Sequence, residues 1–245
     1  MKPIAILEHH PSDPPDRLAD WLAAANAPYQ TLRLHAGDQV PEDLNDYSGL
    51  IMLGGSQSAY SDDKFPWRTK TLSMIGDALA QDLPTLGICL SAQLIAQATG
   101  GSAGPGEHGL EVGHQLVGRR DASYQDILFD SLPMTPDAMQ FHGDAINEMP
   151  PGAVLLLGGP VYPNQGFRLG NSMWGIQFHI ETTPQTYVSW FEVYRNHLEE
   201  SGYNVDRAIE RAIAMHDEMP ETWAPFIARF VEIARSRQNA EDSSE

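Results

Sequence analysis

One α/β domain, with a mostly parallel sheet covered by helices on both faces, is predicted by three features of the 245-residue sequence. Apolar runs alternate with helical stripes through the first hundred residues, as in repeated strand–helix units. The runs are short and apolar throughout, as expected of strands buried on both sides. No linker divides the chain, and its length suits one α/β domain with a small addition.

Ile4–Leu7 reads as the first strand. Arg17, Leu18, Trp21, Leu22 and Ala25 then recur at helical spacing. Leu50–Leu53 is a second strand ending at Gly54-Gly55, and Leu72, Ile75 and Leu79 mark the next helix. Pro84–Ile88 forms a third strand that runs into Cys89. An Ala-rich helix follows over Ser91–Thr99, closed by Gly100-Gly101. The middle is richer in strand: Leu110, Val112 and Leu116 alternate, and Val154–Leu157 is a further apolar run. Phe167–Leu169 and Ser172–Phe178 flank Gly170-Asn171, a pair suited to a two-residue hairpin connection. Thr183-Pro184 starts a helix whose apolar face is Tyr187, Trp190, Phe191, Tyr194 and Leu198. Two amphipathic helices, near 205–216 and 222–235, complete the pattern. The organisation predicted is a main domain over 1–198, a helical extension of it over 199–236, and a disordered polar tail over 237–245.

Composition excludes several functions. With 15 basic and 33 acidic residues the net charge is −18, which repels nucleic-acid backbones. A single cysteine rules out an intrachain disulfide and a Cys-rich zinc site. No apolar window reaches membrane-span length, and the short run in MKPIAIL is too brief for a signal peptide, so the cytoplasm is the expected location. Gly-Gly-Ser-Gln-Ser lacks the third glycine of a dinucleotide fingerprint, and nothing matches a P-loop, so no cofactor is predicted. His9-His10 and Asp13 read as a solvated loop rather than a metal site, because spacing supplies no third ligand.

The strongest chemical signal is Leu86-Gly87-Ile88-Cys89-Leu90-Ser91-Ala92-Gln93. A nucleophile at a sharp strand-to-helix turn projects from the sheet edge, and small neighbours, here Gly87 and Ser91, let the backbones pass closely. The following helix N-terminus favours thiolate, and the Leu90 N–H points at a developing oxyanion. A thiolate needs a base with an orienting group. His179 and Glu181, in Gly175-Ile176-Gln177-Phe178-His179-Ile180-Glu181, share a face if the segment is a strand. His142 also has an acid two residues on, but Gly143 suggests a loop, so His142 is assigned to the substrate-site wall. Gly54-Gly55 can bring the Gly55 N–H to a ligand unobstructed and complete an oxyanion hole with Leu90.

Leu53-Gly54-Gly55, the segment around Cys89 and Gly175–Glu181 together resemble the three signatures of class I glutamine amidotransferases, in order. Asp62–Trp67, Glu111-Val112-Gly113, His142-Gly143-Asp144 and Tyr162–Arg168 are similar to the stand-alone, γ-glutamyl peptidase-like branch related to the amidotransferase domain of GMP synthase. The resemblance covers roughly residues 1–198. It implies a three-layer, flavodoxin-like α/β/α fold and hydrolysis of a γ-glutamyl amide through a thioester on Cys89. In that scheme His179 moves the proton, Glu181 orients it, Gly55 and Leu90 hold the oxyanion, and Gln93 helps hold the glutamyl group. Three positions depart from the family pattern. Ser91 replaces a usual Gly, and its added hydroxymethyl either fits or tightens or shifts the elbow. Ile180 replaces a usual Pro and changes rigidity more than chemistry. Ser56 replaces a frequent Pro and leaves its loop freer.

Three functions fit these residues. The first is a stand-alone amidase acting on glutamine or a γ-glutamyl peptide. The second is a glutaminase subunit delivering ammonia to a separate synthetase. The third is a non-catalytic binding or regulatory protein on the same scaffold.

Overall fold

The computed structural model describes residues 1–243. In chain order the elements are β1 (Ile4–Glu8), α1 (Arg17–Ala24), β2 (Tyr29–Arg33), β3 (Gly49–Met52), α2 (Arg68–Ala80), β4 (Thr85–Ile88) and α3 (Leu90–Ala98). Then come β5 (Ser102–Pro105), β6 (Glu111–Leu116), β7 (Gly118–Arg119), β8 (Asp137–His142), β9 (Asp144–Glu148), β10 (Val154–Gly158), β11 (Gly166–Leu169) and β12 (Met173–Ile176). Three helices close the chain: α4 (Pro184–Glu200), α5 (Val205–His216) and α6 (Met219–Asp242).

The main sheet has the order β2-β1-β3-β4-β12-β11-β10-β7. Its first five strands run parallel and the last three alternate in direction. Successive side chains of a strand point to opposite faces, so each central strand feeds two cores. Ile4, Ile6, Ile51, Leu86, Ile88, Trp174 and Ile176 join α1 and α6 on one face. Ala5, Leu7, Leu50, Met52 and Met173 join α2 and α3 on the other. The result is the three-layer α/β/α architecture. Two small antiparallel ribbons, β5–β9 and β6–β8, stand beside the sheet.

Register decides what meets at the sheet edge. Leu7 pairs with Met52, Met52 with Gly87, and Ile88 with Ile176, all parallel. The carboxyl ends of β1, β3, β4 and β12 therefore lie side by side, where open α/β sheets bind ligands.

Several local expectations change. The hairpin between β11 and β12 pairs Leu169 with Met173, so three residues form the connection, with Gly170 at φ 62°. In α2 the buried positions are Thr71, Met74, Ile75 and Ala78, with Leu72 and Leu79 only part-buried; packing against α3 rotates the stripe. Leu116 is 50% exposed because β6 leaves the core at its end. Tyr194 is likewise largely exposed on α4, whose other predicted face residues are buried. Where the sequence predicts a disordered tail from 237, α6 continues to Asp242, and Arg237 donates to the Gln81 carbonyl at 2.6 Å. Residues 244–245 of that tail lie outside the described residues. Among the described residues no helix is long and apolar enough to cross a membrane.

Candidate active site

Cys89 sits between β4 and α3 with φ 50° and ψ −109°, a left-handed conformation that L side chains rarely adopt. Its N–H donates to the Ile176 carbonyl at 2.8 Å and its carbonyl accepts from the Gln93 N–H at 3.1 Å, fixing the turn to β12 and to α3. Gly87 is obligatory here: a Cβ on it would lie 2.8 Å from the Ser91 carbonyl oxygen and 2.7 Å from Ile95 Cδ1. Cys89 is 7% exposed and lines a cleft.

His179 follows β12, but not as strand. The strand ends at Ile176, and His179 is held by a lone antiparallel bridge to Met139 of β8. Its N–H donates to the Met139 carbonyl at 2.8 Å. This bridge presents His179 and Glu181 on one side, as the two-residue spacing requires. His179 Nδ1 is 2.6 Å from Glu181 Oε1, and the other carboxylate oxygen accepts from the Ile180 N–H at 2.9 Å. Both side chains are buried. Cys89 and His179 line the same cleft. Burial pulls the His179 pKa down, but the Glu181 charge and the Cys89 sulfur overcome it and hold it well above the ordinary value. The hydrogen-bonded His179–Glu181 pair and the thiol thus meet at one cleft.

Gly55 packs directly on the first residue of α3, since a Cβ there would lie 2.9 Å from Leu90 Cδ2. As the first helical residue, Leu90 has an N–H without an intrahelical carbonyl. Ser91 donates its hydroxyl to the Leu53 carbonyl at 2.5 Å, which ties α3 to the start of the Gly54-Gly55 loop. Gln93 donates to the Asp144 carbonyl at 3.0 Å and approaches Gln177 Oε1 at 3.3 Å. His142 ends β8 rather than lying in a loop. Its Nε2 lies 3.0 Å from Glu111 Oε2 and its Nδ1 2.8 Å from the Asp144 carbonyl. Both ring nitrogens are thus engaged away from the thiol, and His142 forms cleft wall.

One expectation is overturned. His9 and Asp13 are buried, not solvated. His9 packs edge-on against Phe65 at 5.4 Å between ring centroids and accepts from the Trp67 indole at 3.0 Å. Burial lowers its pKa to about 3. Asp13 reaches the site: a Cβ on Gly54 would lie 2.7 Å from Asp13 Oδ1 and 2.8 Å from His179 Cε1. Burial raises the Asp13 pKa, opposed by the neighbouring His179. Three further neighbours are not among the site residues predicted from the sequence. Gln177 donates to Cys89 Sγ at 3.8 Å. Gln57 bonds the His9 carbonyl at 2.9 Å and keeps a buried Oε1 with no partner. Trp190 packs on the His179 ring at 4.7 Å between centroids. The cleft that these groups line has a volume of about 300 Å³, within the range of small-ligand sites.

A three-layer sheet with a thiol at its strand-to-helix elbow and a histidine–carboxylate pair one strand away defines a thiol-bearing α/β class. The chain belongs to the class-I glutamine amidotransferase family, whose model matches residues 16–192. It is 32% identical over 145 residues to a glutamine-hydrolysing GMP synthase of Porphyromonas gingivalis, covering 59% of this chain and 27% of that protein. It is 30% identical over 142 residues to γ-glutamyl peptidase 5 of Arabidopsis thaliana, covering 57% of this chain and 56% of that protein. The chain thus spans little more than a quarter of that GMP synthase and about half of that peptidase. A glutamine amidotransferase structure from Methylobacillus flagellatus superposes with a TM-score of 0.84 at 27% identity over 95% of both chains. One from Thermotoga maritima gives 0.81 at 26% identity over 95% and 97%.

Proposed function

We propose that the protein hydrolyses a γ-glutamyl amide, from glutamine or a γ-glutamyl peptide, through a glutamyl thioester on Cys89. The observation that carries this reading is the His179–Glu181 hydrogen-bonded pair facing the same cleft as Cys89 at its strand-to-helix elbow. The sulfur attacks the amide carbonyl and forms a C–S bond. The Gly55 and Leu90 backbone N–H groups stabilise the resulting oxyanion, the type of contact that contributes a few kcal/mol in such sites. The His179 imidazolium gives its proton to the departing nitrogen as the C–N bond breaks. Water, deprotonated by the same imidazole, then attacks the thioester, releasing glutamate and returning the proton to sulfur. Glu181 fixes the ring and balances its charge. Gln93 and the His142 wall hold the glutamyl group. A cytoplasmic setting, where a lone thiol stays reduced, suits this chemistry.

The likeness to GMP synthases supports a second reading, in which the released ammonia passes to a separate synthetase. Val193, 77% exposed on α4 beside the cleft-lining Tyr194, offers an apolar contact for such a partner. The test is glutamate release by the purified protein from glutamine and a panel of γ-glutamyl peptides, with Cys89→Ala as control. Release that disappears in the variant is expected. No release from any member sinks the self-sufficient amidase and favours the partner-dependent one.

A further inference from the structure

We infer that the cleft selects γ-glutamyl amides whose amine carries an aromatic or apolar body and no carboxylate, with Trp190 and Tyr194 as specificity-determining contacts. The inference rests on the hydrolytic reading, which fixes where the leaving group lies. The nitrogen that takes a proton from His179 must sit against that ring, so the neighbours of the ring compose the leaving-group subsite.

Those neighbours form an aromatic wall. Trp190 packs edge-on to His179 at 4.7 Å between centroids, Phe141 lies 5.4 Å from Trp190, and Tyr194 lies 5.7 Å from Phe141. All three line the cleft, and Tyr194, 42% exposed, carries the wall out to its mouth. The one polar atom of the indole is already spent on the Ser12 carbonyl at 2.8 Å, so Trp190 offers the ligand only apolar surface. Ser12 and Asp13 also line this cleft, and Ser12 donates to Asp13 at 2.5 Å. Among the described residues, no lysine or arginine lines the cleft. Besides His142 and His179, the exposed imidazole of His197, one turn past Tyr194 on α4, also lines the cleft.

A carboxylate on the leaving amine would therefore be desolvated beside an acidic side chain and aromatic rings, with no lysine or arginine to pair it and the His179 imidazolium already paired with Glu181. An aromatic or aliphatic amine would cover the wall and displace water from it. Ammonia, the leaving group of glutamine, would leave the wall uncovered.

The test uses the Cys89→Ala protein, which cannot turn over, titrated calorimetrically with γ-glutamylbenzylamide, glutamine and γ-glutamylglycine. The benzylamide is expected to bind about tenfold or more tighter than the glycine conjugate, the scale at which apolar pockets discriminate. Adding Tyr194→Ala, a change at a largely exposed position, is expected to narrow that ratio at least about threefold. Equal or tighter binding of the glycine conjugate, a ratio unmoved by Tyr194→Ala, or no binding of any member overturns the inference. Wild-type turnover separates the two readings. Glutamate release that favours the glycine conjugate keeps the hydrolytic reading and removes the subsite. Selective benzylamide binding without release by the wild type keeps the subsite and removes hydrolysis.

Discussion

Replacing Ser91 with alanine removes a hydroxyl that is fully buried and donates to the Leu53 carbonyl at 2.5 Å. That carbonyl follows β3 and begins the Gly54-Gly55 loop, so the bond joins the elbow helix to the loop that would carry an oxyanion donor. Leaving a buried acceptor without this partner costs about 1–3 kcal/mol. For a domain of this size each kcal/mol lowers Tm by roughly 2–4 °C, so a fall of about 2–12 °C is expected. Complete loss of one oxyanion donor lowers kcat by about 10²–10³-fold. A donor that is loosened rather than removed should lose roughly tenfold. Because the donor acts on the transition state, kcat should fall with KM little changed. The assay pairs scanning calorimetry with steady-state glutamate release. A variant with unchanged Tm and kcat would refute the coupling. A lower Tm with unchanged kcat would reduce Ser91 to a packing residue.

Glu181→Gln keeps the shape of the pair but removes the charge that helps hold the His179 pKa high against burial. Unit charges at about 4 Å and an effective dielectric near 20 attract by roughly 4 kcal/mol, so kcat/KM should fall by about 10²–10³-fold. The alkaline limb of its pH profile should move to lower pH; a profile superimposable on wild type would exclude this role. His9 makes a separate prediction about stability. Its folded-state pKa is about 3, below the ordinary 6.5, so between those values the unfolded chain binds one more proton than the native one. The penalty is absent above pH 6.5 and grows as pH falls, by about 1.4 kcal/mol per pH unit. His9→Gln keeps an acceptor for Trp67, and its urea-derived stability should fall less steeply from pH 7 to 5 than that of wild type. Equal slopes would show that His9 protonates freely in the native protein.

The central fold was legible because its strands are buried on both sides. Such strands read as apolar runs whatever their neighbours, and β1, β3 and β4 fall within a residue of their predicted bounds. The strands that sequence missed lack that signature. Tyr29–Arg33, at the sheet edge, buries only Leu32, and Gly118–Arg119 is two residues long. The alternation of Leu110, Val112 and Leu116 announced β6 (Glu111–Leu116), but β5, β8 and β9 are held by ribbon pairing, which no local pattern reports. The helical course of 237–242 has a related reason. Its polar composition says nothing about a helix that docks its start through Trp223, Phe226 and Phe230 and then runs on from that anchor.

The candidate site divides along the same line. Cys89, His179 and Glu181 were legible because each lies in one short segment whose spacing carries its own geometry. Asp13 was not, because its burial depends on three strangers in sequence. The Ser12 carbonyl accepts the Trp190 indole, Glu181 accepts the Arg17 N–H at 3.0 Å, and Gly54 leaves the space in which Asp13 and His179 converge. A loop that looks polar and short reads as solvated until the register of β1 against β3 brings it over the site. By the same reasoning the predicted strand for His179 was the right geometry reached through the wrong element. The shared face of His179 and Glu181 comes from the bridge to Met139. A substitution on β8 that weakens that bridge should therefore disturb the imidazole as surely as one in its own segment.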